Sequence, residues 1–135
     1  MIKLFDPIVS KKEEKALIDT FRSHFWASGE GTNSVYNFEQ KFKKYVGAKE
    51  WVAVNSGTAA LSLALSMYNI KNKEVIIPSL SFVSTANAII ENGGIPKFVD
   101  IDENTLCIDP EKIIKAISKK TKVILPVHFG GLTSN

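Results

Sequence analysis

Cysteine is almost missing from this chain, and arginine with it. Cys107 stands alone among 135 residues, so no intrachain disulfide can staple the fold. A single thiol fits a reducing, cytoplasmic setting. Arg22 is the one arginine among 17 Lys+Arg residues. Arginine is the natural bidentate clamp for a carboxylate or phosphate, so the segment offers few such clamps. No apolar run nears the ~18 residues of a membrane helix, and "IKLFDPIVSKKEEKALI" after Met1 has no apolar signal core. An excess of one charge is lacking too. The 17 cations face 14 Asp+Glu, leaving +3, which argues against a nucleic-acid or anionic-membrane partner. Finally, no cluster of His, Cys and carboxylates stands at metal-ligand spacing; no metal is expected.

What is present is ordinary globular material, 44% hydrophobic and 23% charged, of a length that suits about one domain. "SKKEEKALIDTFRSHFW" predicts an amphipathic helix, with Leu17, Phe21 and Phe25 at four-residue steps and Ser10 as its cap. Residues 26–34, "WASGEGTNS", read as loop. A second helix follows, with Val35, Phe38, Phe42 and Tyr45 as its buried stripe and Gly47 to close it. From Trp51 the rhythm alternates. "WVAVN", "EVIIPS", "IPKFVDID" and "KVILPVHFGG" predict four strands. "GTAALSLALSMY", apolar nearly all round and so expected buried, "FVSTANAIIENGG" and "EKIIKAISKK" predict the helices between them. Asp109 and Pro110 supply the cap and first turn of the last. That alternation argues α/β, with a mainly parallel sheet covered by helices on both faces.

In such sheets ligands bind beyond the carboxyl ends of the strands. Those ends carry "NSGT", "PSLSF", "DID" and "HFGG". Each has two readings. "SGT" between a strand and a helix is either a plain helix cap or an anion seat built from free backbone N–H groups. Gly57 would let the backbone come close to the anion. Known phosphate loops do not fit: there is no GxxxxGK[ST], and "GEG" at residues 29–31 follows a helix rather than a strand. Phe82 either packs into the core at a helix start or stacks on a planar ligand. His128 is either structural or orients a ligand. Asp100 and Asp102 fall on one face of a strand, and Cys107 reads as a small buried filler.

Taken together, "SGTAAL", "IPS-SFVSTANAI", "FVDID" and "PVHFGG", in this order and spacing, resemble the first part of the sugar aminotransferases of the DegT/DnrJ/EryC1/StrS family. The resemblance runs from about Gly31 to the end of the chain. It implies the aspartate-aminotransferase-like fold and the cofactor pyridoxal 5'-phosphate (PLP). By this resemblance, residues 1–33 are an N-terminal helix and loop, and 34–135 begin the PLP-binding large domain. The cofactor's phosphate falls to Gly57, Thr58 and Ala59, and one face of its ring to Phe82. Ser81-Phe82 stands where the family more often has Thr-Phe, keeping the hydroxyl and the ring.

The resemblance also implies a keto sugar, commonly nucleotide-linked, as amino acceptor, an amino acid as donor, and a homodimer. It places the Schiff-base lysine, the aspartate that pairs with the pyridine nitrogen, and a small C-terminal domain beyond residue 135. The expectation is therefore an N-terminal segment with no catalytic residue of its own, inactive by itself. A sugar dehydratase of the same family and a non-catalytic remnant are the alternatives.

Overall fold

The computed structural model describes residue 3, residues 6–26 and residues 34–135. Residues 27–33, which hold most of the expected loop and its "GEG", lie outside them. The chain divides into two compact units, Met1–Ala53 and Val54–Asn135.

The first unit holds two helices. Helix α1, Lys11–Ser23, starts at a capping box. The Glu13 carboxylate accepts the Ser10 N–H at 2.7 Å, while the Ser10 hydroxyl accepts from Lys12 N–H, so two otherwise orphaned donors are satisfied. The helix ends at His24, in the left-handed region at φ 60°, and Phe25 lies past its end. Helix α2, Ser34–Val46, is followed by Gly47 at φ 70°, a conformation that suits glycine after a helix. The expected buried stripe of α2 is not buried: Phe38 is 50% exposed and Tyr45 86%. Its rings pack on one another and on Trp51 instead. Trp51 meets Phe42 at 4.7 Å and Phe38 edge-on at 5.2 Å between centroids.

The expected first strand, "WVAVN", is not a strand. Val52 and Val54 are exposed. The Ala53 N–H, which a ladder would need, is donated to Glu39 Oε1 at 2.9 Å. Among the described residues the segment has no partner strand.

The second unit is the α/β body expected from the alternation. Helix α3, Gly57–Ser66, precedes strand β1, Glu74–Pro78. Then come α4, Val83–Glu91; β2, Ile95–Val99; α5, Pro110–Ala116; β3, Thr121–Ile124; and a short 3-10 turn, Phe129–Gly131. The sheet has the order β2-β1-β3, and both pairings are parallel. Central β1 reads as a continuous apolar run because both its faces are covered. Val75 and Ile77 join Leu65 of α3 and Ala88 and Ile89 of α4 in one core. Ile76, pointing the other way, joins Val99 and Ile108, with Ile113 and Ala116 of α5 against them. Helices thus lie on both faces, as the period-two alternation of β1 requires. Cys107 is buried. Helix α3 is buried along one side only, with Leu63 exposed.

Two local details fix the sheet. Gly94 turns α4 into β2 where no side chain fits: a Cβ there would come within 2.8 Å of Ile89 Cγ2 and 3.0 Å of Ile70 Cδ1. At the amino end of the sheet, one carboxylate spans all three strands. Glu74 of β1 accepts from Lys97 Nζ of β2 at 3.1 Å, from the Ser118 hydroxyl at 2.6 Å and from the Thr121 hydroxyl of β3 at 3.2 Å. These donors, Ser118 foremost, hold its carboxyl below the usual glutamate value.

Candidate functional site

The connections dictate where a ligand can sit. From β1 the chain passes through α4 to β2 on one side. It then returns through α5 to β3 on the other. The strand order reverses at β1, and the crevice beyond the carboxyl ends at such a reversal is where α/β sheets bind ligands. A cavity of about 690 Å³ lies there. Its walls are Gly57, Thr58, Ala60 and Leu61 from α3; Ser81, Phe82, Ser84 and Thr85 from the β1–α4 junction; and Leu125, Pro126 and Val127 beyond β3.

None of those lining residues is charged. The start of α3 is the one polar feature of the cavity's rim that suits an anion. Ser56 caps it, accepting the Ala59 N–H on its hydroxyl at 3.1 Å and the Ala60 N–H on its carbonyl at 3.1 Å. The Gly57 and Thr58 N–H groups, at the first two helical positions, have no intrahelical acceptor. They carry the positive end of the helix dipole. A Cβ placed on Gly57 would meet no atom within 4 Å, so the space in front of this backbone is open. "SGT" is therefore a helix cap and leaves donors free, and the two readings of it are compatible. Ala59 lines a separate, shallower hollow with Ser56, Ser62 and Ser66.

Phe82 forms another wall. It is the N-cap of α4, without a side-chain cap bond, and it is 75% exposed. It does not pack into the core of the second unit, and it lines the cavity.

The other residues singled out from the sequence lie elsewhere. His128 is exposed. Its Nδ1 accepts the Ser134 N–H at 3.0 Å, which leaves Nε2 to carry the proton of a neutral ring. Neighbouring Val127, and not His128, lines the cavity. Asp100 and Asp102 do not share a strand face, because β2 ends at Val99. Asp100 pairs with Lys112 at 3.3 Å. Asp102 accepts the N–H groups of Thr105 and Asn104, each at 2.9 Å. These bonds make a turn and hold its carboxyl below the usual aspartate range. Among the described residues no group of His, Cys, Asp and Glu could hold a metal ion, and no helix is long and apolar enough to cross a membrane. Sequence reasoning overlooked Thr85 and the Leu125–Val127 wall. The four-residue step from Ser81 to Thr85 was the available signal.

An all-parallel α/β sheet with a neutral cavity at its strand reversal defines a class: the α/β folds whose ligand crevice lies beyond the carboxyl ends of the strands. The particular family follows from comparison. The chain belongs to the DegT/DnrJ/EryC1/StrS aminotransferase family, whose sequence profile matches residues 7–135. It is 48% identical over 126 residues to the spore coat polysaccharide biosynthesis protein SpsC of Bacillus subtilis (strain 168), covering 93% of this chain and 32% of SpsC. It is 37% identical to dTDP-4-dehydro-2,3,6-trideoxy-D-glucose 4-aminotransferase of Saccharopolyspora spinosa, covering 97% of this chain and 34% of that protein. Among solved structures, Spr1654 of Streptococcus pneumoniae, assigned as a sugar aminotransferase and solved in its PLP form, superposes with a TM-score of 0.89 at 30% identity. That match covers 99% of this chain and 34% of Spr1654. The fold is thus the first part of the PLP-dependent aminotransferase fold, and the chain spans about a third of the length of these relatives.

Proposed function

We propose that residues 34–135 are the opening part of a PLP-binding large domain, and that the cavity beside α3 is one half of the cofactor's seat. The observation that carries this is the pairing of free Gly57 and Thr58 N–H groups with an exposed Phe82 ring across one neutral cavity. The residues fit the group. A phosphate needs several N–H donors and room for its oxygens, and the open space in front of Gly57 provides that room. A flat pyridine ring needs an apolar face, which Phe82 offers. The Ala59 N–H is shared with Ser56, so its part in holding the phosphate is the smallest of the three.

When bound, PLP supplies an electron sink for breaking bonds at the carbon next to a substrate nitrogen. This chain's contribution is to anchor and orient. Gly57 and Thr58 fix one end of the cofactor, Phe82 fixes the plane of its ring, and Leu125 and Val127 exclude water from one side.

The whole enzyme, on this reading, moves an amino group from an amino acid to a keto sugar, and the sugar is nucleotide-linked. The Saccharopolyspora relative, a dTDP-sugar aminotransferase, supports that substrate class, and the name of SpsC supports a setting in cell-surface polysaccharide assembly. A dehydratase of the family would use the same half-seat, and the choice of aminotransferase rests on the relatives. The reading brings a homodimer with it, as the family resemblance implies, and the single cysteine suits a cytoplasmic setting.

The test is binding of pyridoxamine 5'-phosphate (PMP), followed by the fluorescence of its ring. PMP lacks the aldehyde that would react with the surface lysines. Saturable one-to-one binding, displaced by inorganic phosphate, is expected. Its absence from the folded chain would remove the proposal.

A further inference from the structure

Beside Phe82, at the mouth of α4, two hydroxyls face one another. Ser81 Oγ and Thr85 Oγ1 are 2.7 Å apart, and both residues line the cavity. Thr85 is 5% exposed and is the one buried polar residue among the described residues; Ser81 is half-buried. The Thr85 N–H is already spent on the Phe82 carbonyl at 3.0 Å. That carbonyl lies 3.4 Å from Ser81 Oγ, too far for a good hydroxyl bond.

Two hydroxyls carry two protons, and the short bond between them uses one. The question is which oxygen holds the other. Among the described residues, Thr85 Oγ1 has no hydrogen-bond partner besides Ser81. If Ser81 donated to Thr85, the Thr85 proton would be stranded in the core, at a cost of about 1–3 kcal/mol. If Thr85 donates to Ser81, no buried donor is lost. The surplus proton then sits on Ser81, at the cavity wall. The second arrangement wins, and it makes Ser81 a donor turned toward the ligand.

We infer that the Ser81 hydroxyl donates a hydrogen bond to an acceptor atom on the edge of the ring that lies on Phe82, and that Thr85 is the positioning residue that aims it. The inference rests on the cofactor reading above and adds to it a contact to the ring, separate from the phosphate seat of α3. No proton leaves either hydroxyl.

The experiment is a double-mutant cycle on the full chain, read by PMP fluorescence and by displacement with inorganic phosphate. Ser81→Ala is expected to weaken PMP binding five- to tenfold and to leave the phosphate displacement constant unchanged. Ser81→Thr should restore PMP affinity, since it returns the hydroxyl. Thr85→Val, which keeps shape and removes only the aiming bond, should weaken PMP about threefold, and Thr85→Ser should rescue it. In the Ser81→Ala background, Thr85→Val should have no further effect. Unchanged PMP affinity in folded Ser81→Ala would overturn the inference alone, while failure of the parent chain to bind PMP would overturn the cofactor reading with it. Loss of phosphate and PMP affinity together would place Ser81 at the phosphate and overturn the ring contact. Full additivity of the two changes would overturn the aiming role of Thr85.

Discussion

Replacing Gly57 by valine separates the two readings of "SGT" more sharply than any other single change. In the folded chain a Cβ at this position meets nothing within 4 Å, and the backbone is not in the left-handed region. The protein itself therefore has little objection to a side chain. The objection comes from the ligand. A branched side chain would stand in the open space before the Gly57 and Thr58 N–H groups, where a phosphate oxygen has to approach. Each charge-assisted hydrogen bond contributes about 1.5–3 kcal/mol. Losing the better part of one, with the other lengthened, comes to roughly 2 kcal/mol, or about 30-fold in affinity.

The assay is PMP titration by fluorescence, with the thermal midpoint measured alongside. Ser62→Ala is the control. It sits further along α3, where its hydroxyl accepts from Asn92, an amide that also bonds the Ser62 and Ala88 carbonyls. Ser62→Ala should keep PMP affinity. Gly57→Val should lose it without losing its fold. If folded Gly57→Val bound PMP as the parent does, "SGT" would be a cap and nothing more, and the phosphate seat would have to be abandoned.

Phe82→Ala should weaken PMP by about 1 kcal/mol, roughly fivefold, the amount a stacked ring contributes; because Phe82 is exposed, the unfolding midpoint in urea should barely move. Gly94→Ala should destabilise the second unit by about 1–3 kcal/mol, since its Cβ overlaps Ile89 and Ile70 inside a packed core; urea unfolding at fixed pH measures this, and a neutral result would show that α4 can shift. Glu74 should make stability fall in acid: its folded carboxyl sits below the ordinary value of 4.5, so its contribution is complete above that pH and disappears as pH falls through the lower folded value. Glu74→Gln should flatten that part of the curve, and a parent and variant with parallel pH profiles would mean the three donors contribute nothing.

Much of the second unit was legible because its signals were redundant. In β1, "EVIIP" combines β-branched residues with an unbroken apolar run, and Asp109-Pro110 announces a helix start through both cap and fixed φ. At each place one residue type could play only one part. The first unit was less legible because an apolar stripe specifies only that a helix has an apolar side, and not what covers it. Phe38 and Tyr45 of α2 kept the periodicity and lost the burial. "WVAVN" failed for a related reason. Strand propensity describes a residue's fitness for a sheet, but a strand exists only through its partner. The Ala53 donor and the Trp51 ring were already engaged within the first unit. The turn at Asp102 was missed because a short carboxylate can bond backbone donors two and three residues ahead, which ends an extended run without any glycine or proline to mark it.

The site itself was legible by location before it was legible by residue. That ligands gather where strands end follows from chain direction and the helix dipole alone, and a cavity lies at that rim although the strand thought to lead into "NSGT" is absent. What local sequence could not decide was Phe82, for which burial is the usual outcome for an aromatic. The reason lies in its position. As the N-cap of α4 it has extended backbone, so its side chain leaves the helix at the first turn, away from the stripe that Ala88 and Ile89 send into the core. The ring must therefore lie at the carboxyl end of the sheet or in solvent. A cap normally offers a hydroxyl or carboxylate to the first helical N–H groups. Phenylalanine gives up that bond. Here Ser81, one residue earlier, and Thr85, in the same first turn, hold the corner instead. A position that forgoes both its capping bond and its burial is accounted for by neither local structure nor packing. On the proposed reading a ligand's ring supplies the missing contact, and the Phe82→Ala titration tests it.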